Sequence, residues 1–394
     1  MGESTSTYSK IVLKKGKERS VSNFHPWIFS GAIDKKDKSL ADGDIVNVFA
    51  NDNTFLCCGF FHHSSIAIRV VSHLPITIDQ NFWNLKIASA FALRKQLNLT
   101  DNLSTTAYRL IHGEGDGLSG LIIDIYNTTA VIQAHVEGIF RCREQITKAL
   151  QVVYQKQLDS VYDKSDESFF KSSESRFLFG QRSDAEVTEN DLKFYVNWVE
   201  GQKTGFFNDQ RDSRKLLQQF SKNKKVVNLF SYSAGFSVYA LAASASMVHS
   251  VDSSAKAEAW ANRNIELNNF PQHQFYCEDV FEFLKASSED YDVWVVDPPA
   301  FAKRLDAVAK AMIGYRNLNL AVFKKAKPGS IIFTFSCSQA VNKELFSKVI
   351  FQAAQQAKRT VKIIHRLSQP ADHPVSVFHP EGEYLKGLVL YVED

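Results

Sequence analysis

The chain has 394 residues, too many for one hydrophobic core, so two or three domains are expected. Its 44% hydrophobic and 23% charged content is that of a soluble globular protein and excludes a disordered or fibrous chain. The 46 basic and 43 acidic residues nearly cancel to a net charge of +3, so any nucleic-acid surface must come from local segregation of charge.

Residues 1–8 read as a disordered lead-in. From Ile11 to Ser72 short strand-like runs alternate with turns at Asp42-Gly43-Asp44 and Asn51-Asp52-Asn53, which predicts a small, mostly antiparallel β-barrel. The basic run Lys14, Lys15, Lys17 and Arg19 in it suits an RNA backbone or an ordinary solvated loop. Leu74–Asp79 reads as a linker and Asn81–Leu97 as a helix. The segment YRLIHGEGDGLSGLIID, Tyr108–Asp124, sets four glycines between two apolar strands. Thr129–Ala134 is predicted as a strand, Gly138–Leu150 as a helix and Lys164–Arg176 as a loop. Together these form a second, mixed α/β unit over residues 80–189.

From Asp191 the pattern becomes regular. LKFYVNWV is a strand, and GQKTGFFNDQRDSRKLLQQF runs from a glycine loop into a helix. Val226–Phe230 is a short strand, Ser231–Gly235 a small turn-prone loop, Phe236–Met247 an apolar helix, and Val248–Val251 a strand ending in Asp252. Phe275–Asp279, Val293–Asp297 and Ser330–Ser336 are further strands, the last followed by Cys337. Strands alternating with helices predict a mostly parallel, doubly wound sheet, whose ligands sit outside the strand C-termini. Those termini carry Ser231–Gly235, Asp252, Asp279, Asp297 and Cys337.

Each terminus suggests a chemistry. A loop opening on a helix N-terminus offers backbone N–H groups, and a carboxylate about twenty residues on can accept both hydroxyls of a ribose. The dinucleotide fingerprint GxGxxG is absent, since Gly235 is the only glycine in the loop. The expected ligand is therefore a nucleoside without phosphates, S-adenosylmethionine first, held by Phe230, Ser231, Ser233, Ala234, Gly235, Asp252 and Ser253. An acceptor at Asp279, beside Val280, suits the adenine amine or simply caps the following helix. In Asp297-Pro298-Pro299 two prolines remove two N–H donors and hold the backbone extended. That leaves a rigid wall for a flat base, with Asp297 at its polar edge.

Cytosine carbon-5 is too poor a nucleophile to accept a methyl group unaided. A thiolate adding at carbon-6, with an acid on ring N3, makes carbon-5 enamine-like, and Cys337 with Asp297 could supply the pair. The alternative for Cys337 is a buried structural cysteine. Lys203, Arg211, Asp212 and Arg214 could close over the methionine carboxylate or the RNA backbone. Arg211 and Arg214 at i, i+3 could instead be a helix surface pair. The C-terminal HRLSQPADHPVSVFHPEGEYLKG reads as a loop over the cleft, and without local ligand spacing no metal is expected there.

The five cysteines, Cys57, Cys58, Cys142, Cys277 and Cys337, are odd in number and show no zinc spacing. With no apolar run near ~20 residues, the expectation is a reduced, cytoplasmic enzyme without a membrane partner.

The segments HPWIFSGAI, YRLIHGEGDGLSGLIID, GQKTGFFNDQRDSR, NLFSYSAGF, VDPPAF, FTFSCS and ADHP with PEGEYLKG occur in one order along nearly the whole chain. In them the chain resembles the 23S ribosomal RNA cytosine-carbon-5 methyltransferases with an N-terminal PUA domain. The resemblance implies a PUA-like RNA-binding β-barrel over residues 9–75, a central α/β domain over 80–189, and a Rossmann-like methyltransferase over 190–394. It implies S-adenosylmethionine as cofactor, 23S ribosomal RNA as partner and Cys337 as nucleophile, and leaves homodimer formation open. Pro298 and Pro299, with Lys203 and Arg211, are the expected substrate contacts. Two residues depart from the family pattern: Ala234 replaces a usual glycine, and Ala300 replaces a usual lysine after Asp-Pro-Pro. Two other readings stay open: methylation of an exocyclic amine without a thiol, and an inactive RNA-binding or ribosome-assembly factor.

Overall fold

The computed structural model describes residues 8–169, 176–270, 273–302 and 305–394. The expected lead-in, apart from Tyr8, and the middle of the Lys164–Arg176 loop lie outside the described residues. The chain divides into two compact units. The first takes the residues up to Val187, Val196–Asn208 and Ala371–Gly382; the second takes Thr188–Tyr195, Asp209–Pro370 and Glu383–Asp394.

In the first unit a six-stranded sheet runs in the order Trp27–Phe29, Ile66–Ser72, Phe55–Phe61, Ile45–Phe49, Ser9–Leu13, Ile33–Lys35. Its ladders are antiparallel except Ser9–Leu13 on Ile45–Phe49, which is parallel. Ile11, Leu13, Val46, Val48, Phe61 and Ile68 fill its core. A five-stranded sheet follows in the order Phe177–Phe179, Ser160–Asp163, Thr129–Ala134, Leu121–Tyr126, Ala107–His112. The helix Gln80–Gln96, capped by the Asp79 carboxylate on the Phe82 N–H at 2.9 Å, buries Trp83 and Ile87 in the core of that sheet. The helix expected over Gly138–Leu150 is two helices, Glu137–Arg141 and Arg143–Tyr154, because Cys142 (φ −92°, ψ 1°) leaves helical geometry between them.

The second unit is built on a seven-stranded sheet in the order His273–Cys277, Met247–Asp252, Lys225–Leu229, Val293–Val296, Ile331–Ser336, Lys386–Val392, Val361–Leu367. The first five strands are parallel, and Lys386–Val392 runs antiparallel to both its neighbours. Val293–Val296 is buried at every residue, as a parallel strand covered on both faces must be. Chain order reverses direction at Lys225–Leu229, flanked by Met247–Asp252 and Val293–Val296. That topological switch point is where a doubly wound sheet opens a crevice.

Two element boundaries differ from expectation. The helix after the small loop covers only Gly235–Ala242, and Met247 already belongs to the next strand. Ser244 (φ +62°) turns the chain between them, a break that the run of small residues Ala242–Ser246 conceals. The strand expected to end in Asp279 stops at Cys277; Asp279 instead caps the helix Val280–Ala286.

Candidate active site

Register places the functional ends side by side. Leu229 pairs with Val251 on one side and Val296 on the other, and Val296 pairs with Thr334. The next residues, Phe230, Asp252 and Asp297, and Cys337 three beyond Thr334, therefore stand at the same edge of four adjacent parallel strands.

The loop after Lys225–Leu229 is held in a costly conformation. Phe230, Tyr232 and Ala234 have φ of +59°, +46° and +62°. None is glycine, and such backbones persist only where neighbours fix them. The fixing bonds are present. The Ser231 N–H donates to the Val251 carbonyl at 3.0 Å, and the Ala234 N–H to the Ser231 carbonyl at 2.8 Å. Asn264 Nδ2 donates to the Ser233 carbonyl at 2.8 Å. The Tyr232 N–H donates to Asp252 Oδ2 at 3.0 Å, while Asp252 Oδ1 accepts from the Ser254 N–H at 3.1 Å. Asp252 thus ties the loop to the neighbouring strand tip, with Ser253 exposed beside it. Ala234, standing where a glycine was expected, is fully buried. Gly235 is constrained by space, because a Cβ there would meet Arg214 Cδ at 3.2 Å.

The loop fits a polar nucleoside. Ser231 is 5% exposed, and its Oγ has no hydrogen-bond partner among the described residues. An unsatisfied buried hydroxyl in a strained loop at a sheet switch point is what a ligand-binding loop presents. Asp279 uses Oδ1 on the Phe281 and Glu282 N–H groups, at 2.8 and 3.3 Å, so its capping role is realised. Val280 is buried beside it.

The thiol lies against the proline wall. Cys337 Sγ is 3.9 Å from the carbonyl oxygen of Pro298, the residue next to Asp297. Cys337 is half-buried, Pro298 is buried, and Pro299 is exposed. Cys57, Cys58 and Cys142 are buried, and burial pushes the thiols of Cys58 and Cys142 up to about 11. Those three are the inert cysteines of the set.

Three neighbours of this pair were not anticipated as site residues. Gln210 Nε2 donates to Asp297 Oδ2 at 3.0 Å, while Gln210 Oε1 is buried without a partner among the described residues. Lys386 Nζ donates to the Ser338 and Tyr384 carbonyls at 2.6 and 2.5 Å. Burial pulls this ammonium down to about 8, against the opposing pull of Cys337 and Glu383. Ser338 Oγ accepts from the Ala302 N–H at 3.1 Å and bonds the Tyr315 hydroxyl at 2.8 Å, fixing the turn that carries Cys337. Both Gln210 and Lys386 sit in segments singled out above, GQKTGFFNDQRDSR and PEGEYLKG, but as one amide and one lysine among many polar residues.

The other basic candidates separate. Arg211, the first residue of the helix Arg211–Ser221, is 6% exposed, and Arg214 is 2% exposed, so they are not a surface pair. Arg214 is committed to Glu189 by two bonds, Nε–Oε1 at 2.8 Å and Nη2–Oε2 at 2.7 Å. Tyr239 donates to the same carboxylate at 3.0 Å. Lys203 belongs to the first unit, where its Nζ stands 4.4 Å from the Phe207 ring centroid.

Comparison with known proteins gives the family. Residues 121–388 match the family described as S-adenosylmethionine-dependent methyltransferase, and residues 11–73 match a PUA-like domain. The chain belongs to the S-adenosylmethionine-dependent methyltransferases. It is 37% identical over 396 residues to the ribosomal RNA large subunit methyltransferase I of Pseudoalteromonas atlantica, covering 98% of this chain and 99% of that protein. It is 38% identical over 393 residues to the enzyme of the same name from Aeromonas salmonicida, covering 96% and 98%. Among solved structures, the fold superposes at a TM-score of 0.84 on a methyltransferase complexed with SAH, 24% identical and covering 97% of this chain and 99% of that one. The methyltransferase is thus a PUA-like β domain followed by a Rossmann-like catalytic fold, and its cofactor is S-adenosylmethionine. Among the described residues no helix is long and apolar enough to cross a membrane.

Proposed function

We propose that this methyltransferase modifies cytosine carbon-5 in large-subunit, 23S ribosomal RNA through a covalent adduct with Cys337. The observation that carries the reading is the 3.9 Å approach of Cys337 Sγ to the Pro298 carbonyl, beside Asp297 and at the strand edge that holds the cofactor loop. The substrate class is that of the two named relatives, each described as a ribosomal RNA large subunit methyltransferase. Within this reading residues 9–75 are the PUA-like RNA-binding barrel, 80–189 the central α/β domain and 190–394 the methyltransferase domain.

Phe230, Ser231, Ser233, Ala234 and Gly235 would cradle the cofactor, Asp252 and Ser253 would take its ribose, and Asp279 and Val280 its adenine. When bound, S-adenosylmethionine supplies the electrophilic methyl group. The cytosine lies along Pro298 and Pro299, and Arg211 contributes positive charge near the RNA. The Cys337 thiolate adds to carbon-6 while Asp297 holds a proton at N3, which turns carbon-5 into an enamine carbon able to take the methyl group. Loss of the carbon-5 proton to water returns electrons to the ring, the carbon-6–sulfur bond breaks to give back the thiolate, and the N3 proton returns to Asp297. Gln210 holds the Asp297 carboxyl in place, and its Oε1 is the acceptor that suits the cytosine amine. Lys386 sets positive charge beside the sulfur and favours the thiolate. A target base inside paired RNA must first leave the stack.

RNA carrying 5-fluorocytosine tests the reading, because fluorine cannot leave as a proton does. A denaturant-stable protein–RNA adduct that disappears in Cys337→Ala is expected. Full methylation by Cys337→Ala would sink it and favour an exocyclic amine as the acceptor. Calorimetry showing no S-adenosylmethionine binding at high micromolar concentration would point to an inactive RNA-binding factor instead.

A further inference from the structure

Within the first unit three side chains outside the methyltransferase site converge on one point. His25 precedes the strand Trp27–Phe29, while His379 and Glu381 lie in the segment Ala371–Gly382. His25 Nε2 is 4.0 Å from Glu381 Oε2, and His379 Nε2 is 3.9 Å from the same oxygen. One ligand atom from each residue lies within 4.8 Å of the other two. These separations are too long for hydrogen bonds.

His379 makes the cluster more than a surface coincidence. It is 1% exposed, and neither of its ring nitrogens has a hydrogen-bond partner among the described residues. A buried imidazole with both nitrogens unsatisfied is unfavourable unless something else is bound there. Its ring is fixed by packing, edge-on to Trp27 at 4.3 Å and to His25 at 5.5 Å between centroids. The Trp27 N–H donates to His25 Nδ1 at 3.1 Å, and the Trp27 carbonyl oxygen lies 3.2 Å from the same nitrogen. Accepting from that N–H puts the ring proton on Nε2; the other tautomer, with the proton on Nδ1 directed at the carbonyl, bares the Nε2 lone pair and is the one a bound metal would select. The nearby Glu114 carboxylate is engaged by Trp27 Nε1, Arg69 and Ser119, so Glu381 supplies the anionic donor.

We propose that His25, His379 and Glu381 bind a divalent cation of the zinc class. Two imidazoles and one carboxylate suit zinc, whereas magnesium and calcium favour all-oxygen shells. Metal–ligand bonds of about 2.0–2.2 Å set tetrahedral donors roughly 3.4 Å apart. Closing the Glu381 distances from 3.9–4.0 Å needs a shift of about half an ångström, which its exposed side chain can supply, while the two imidazole nitrogens, within 4.8 Å of each other, must close by up to about 1.4 Å through rotation of the His25 ring. Bound metal would clip the Ala371–Gly382 segment to the strand Trp27–Phe29. His25 and His379 are far apart in the chain, so no local motif reveals the set.

The test uses the full chain with any affinity tag removed, stripped of metal by chelation and then titrated with zinc or cobalt(II). One ion per chain, a higher melting temperature with zinc and partial quenching of tryptophan fluorescence by cobalt, lost in Trp27→Phe, are expected. His379→Phe keeps a ring against Trp27 but removes both nitrogens; it should weaken zinc binding more than the 10–100-fold typical of outer-shell changes. His25→Gln should do the same and serves if His379→Phe misfolds, while His63→Ala should leave binding unchanged. Absence of stoichiometric uptake, or uptake unaltered in both His25→Gln and His379→Phe, overturns the proposal.

Discussion

Gln210 donates its amide to Oδ2 of Asp297 across 3.0 Å, joining the start of one helix to the acid that follows the central strand. The bond leaves a buried carbonyl oxygen on the same amide. Gln210→Leu removes both atoms at similar volume. A hydrogen bond to a charged group contributes about 1.5–3 kcal/mol, so kcat is expected to fall roughly ten- to hundredfold. Steady-state kinetics on ribosomal RNA fragments would show it, and an unchanged kcat would exclude Gln210 from the chemistry.

Asp297→Asn keeps shape and loses the proton-holding group. General acid–base groups typically contribute 10²–10⁴-fold, and a kcat loss of that order is expected with cofactor affinity altered far less. Single-turnover methylation and calorimetry separate the two. Loss of cofactor binding alone, with normal turnover at saturation, would assign Asp297 to the cofactor instead.

Lys386 gives a pH signature. Its ammonium is pulled from 10.5 to about 8 in the folded chain, so between those values the unfolded chain holds the proton and the folded chain does not. Stability from this group therefore rises with pH across that window, and the burden of burying the charge is fully present below about 8. Lys386→Met should gain relative to the parent at pH 7 and lose that gain as the pH climbs through 8 toward 10. Melting temperatures of both proteins across that range check the sign. In the same variant the pH at which iodoacetamide alkylates Cys337 is expected to move upward, because the sulfur loses its cationic neighbour.

Arg214 and Glu189 are both buried and doubly bonded. Arg214→Met leaves a carboxylate without its partner, and breaking such a pair costs about 3–5 kcal/mol. Urea unfolding of the catalytic unit should shift by that amount, and adding Glu189→Gln should restore part of it. Because Arg214 packs on Gly235, cofactor affinity should fall along with stability.

What the sequence revealed, and what it hid, follows from the range of the interactions. The parallel strands were legible because each is a short apolar run ended by a polar residue, and burial on both faces demands that composition. Asp297 and Cys337 stood out as candidates because acid-Pro-Pro and a cysteine directly after an apolar strand are uncommon pairings. Gln210 and Lys386 did not, since an amide and an ammonium carry no local periodicity. Their meaning comes from Asp297 and Ser338, 87 and 48 residues away in the chain. Arg214 misled at i, i+3 spacing because its partner Glu189 lies upstream in another element. The helix end at Ala242 was hidden by the small apolar residues that run on past it.

The strand Lys386–Val392 lies inside the sheet, between Ile331–Ser336 and Val361–Leu367, although it is the last of the seven to be synthesised. A nascent chain that has not yet passed residue 392 cannot complete this ladder, nor bring the ammonium of Lys386 to the turn after Cys337. Order in space thus departs from order in time: the strand seated beside Ile331–Ser336, which leads into Cys337, is the last of the seven to find its place.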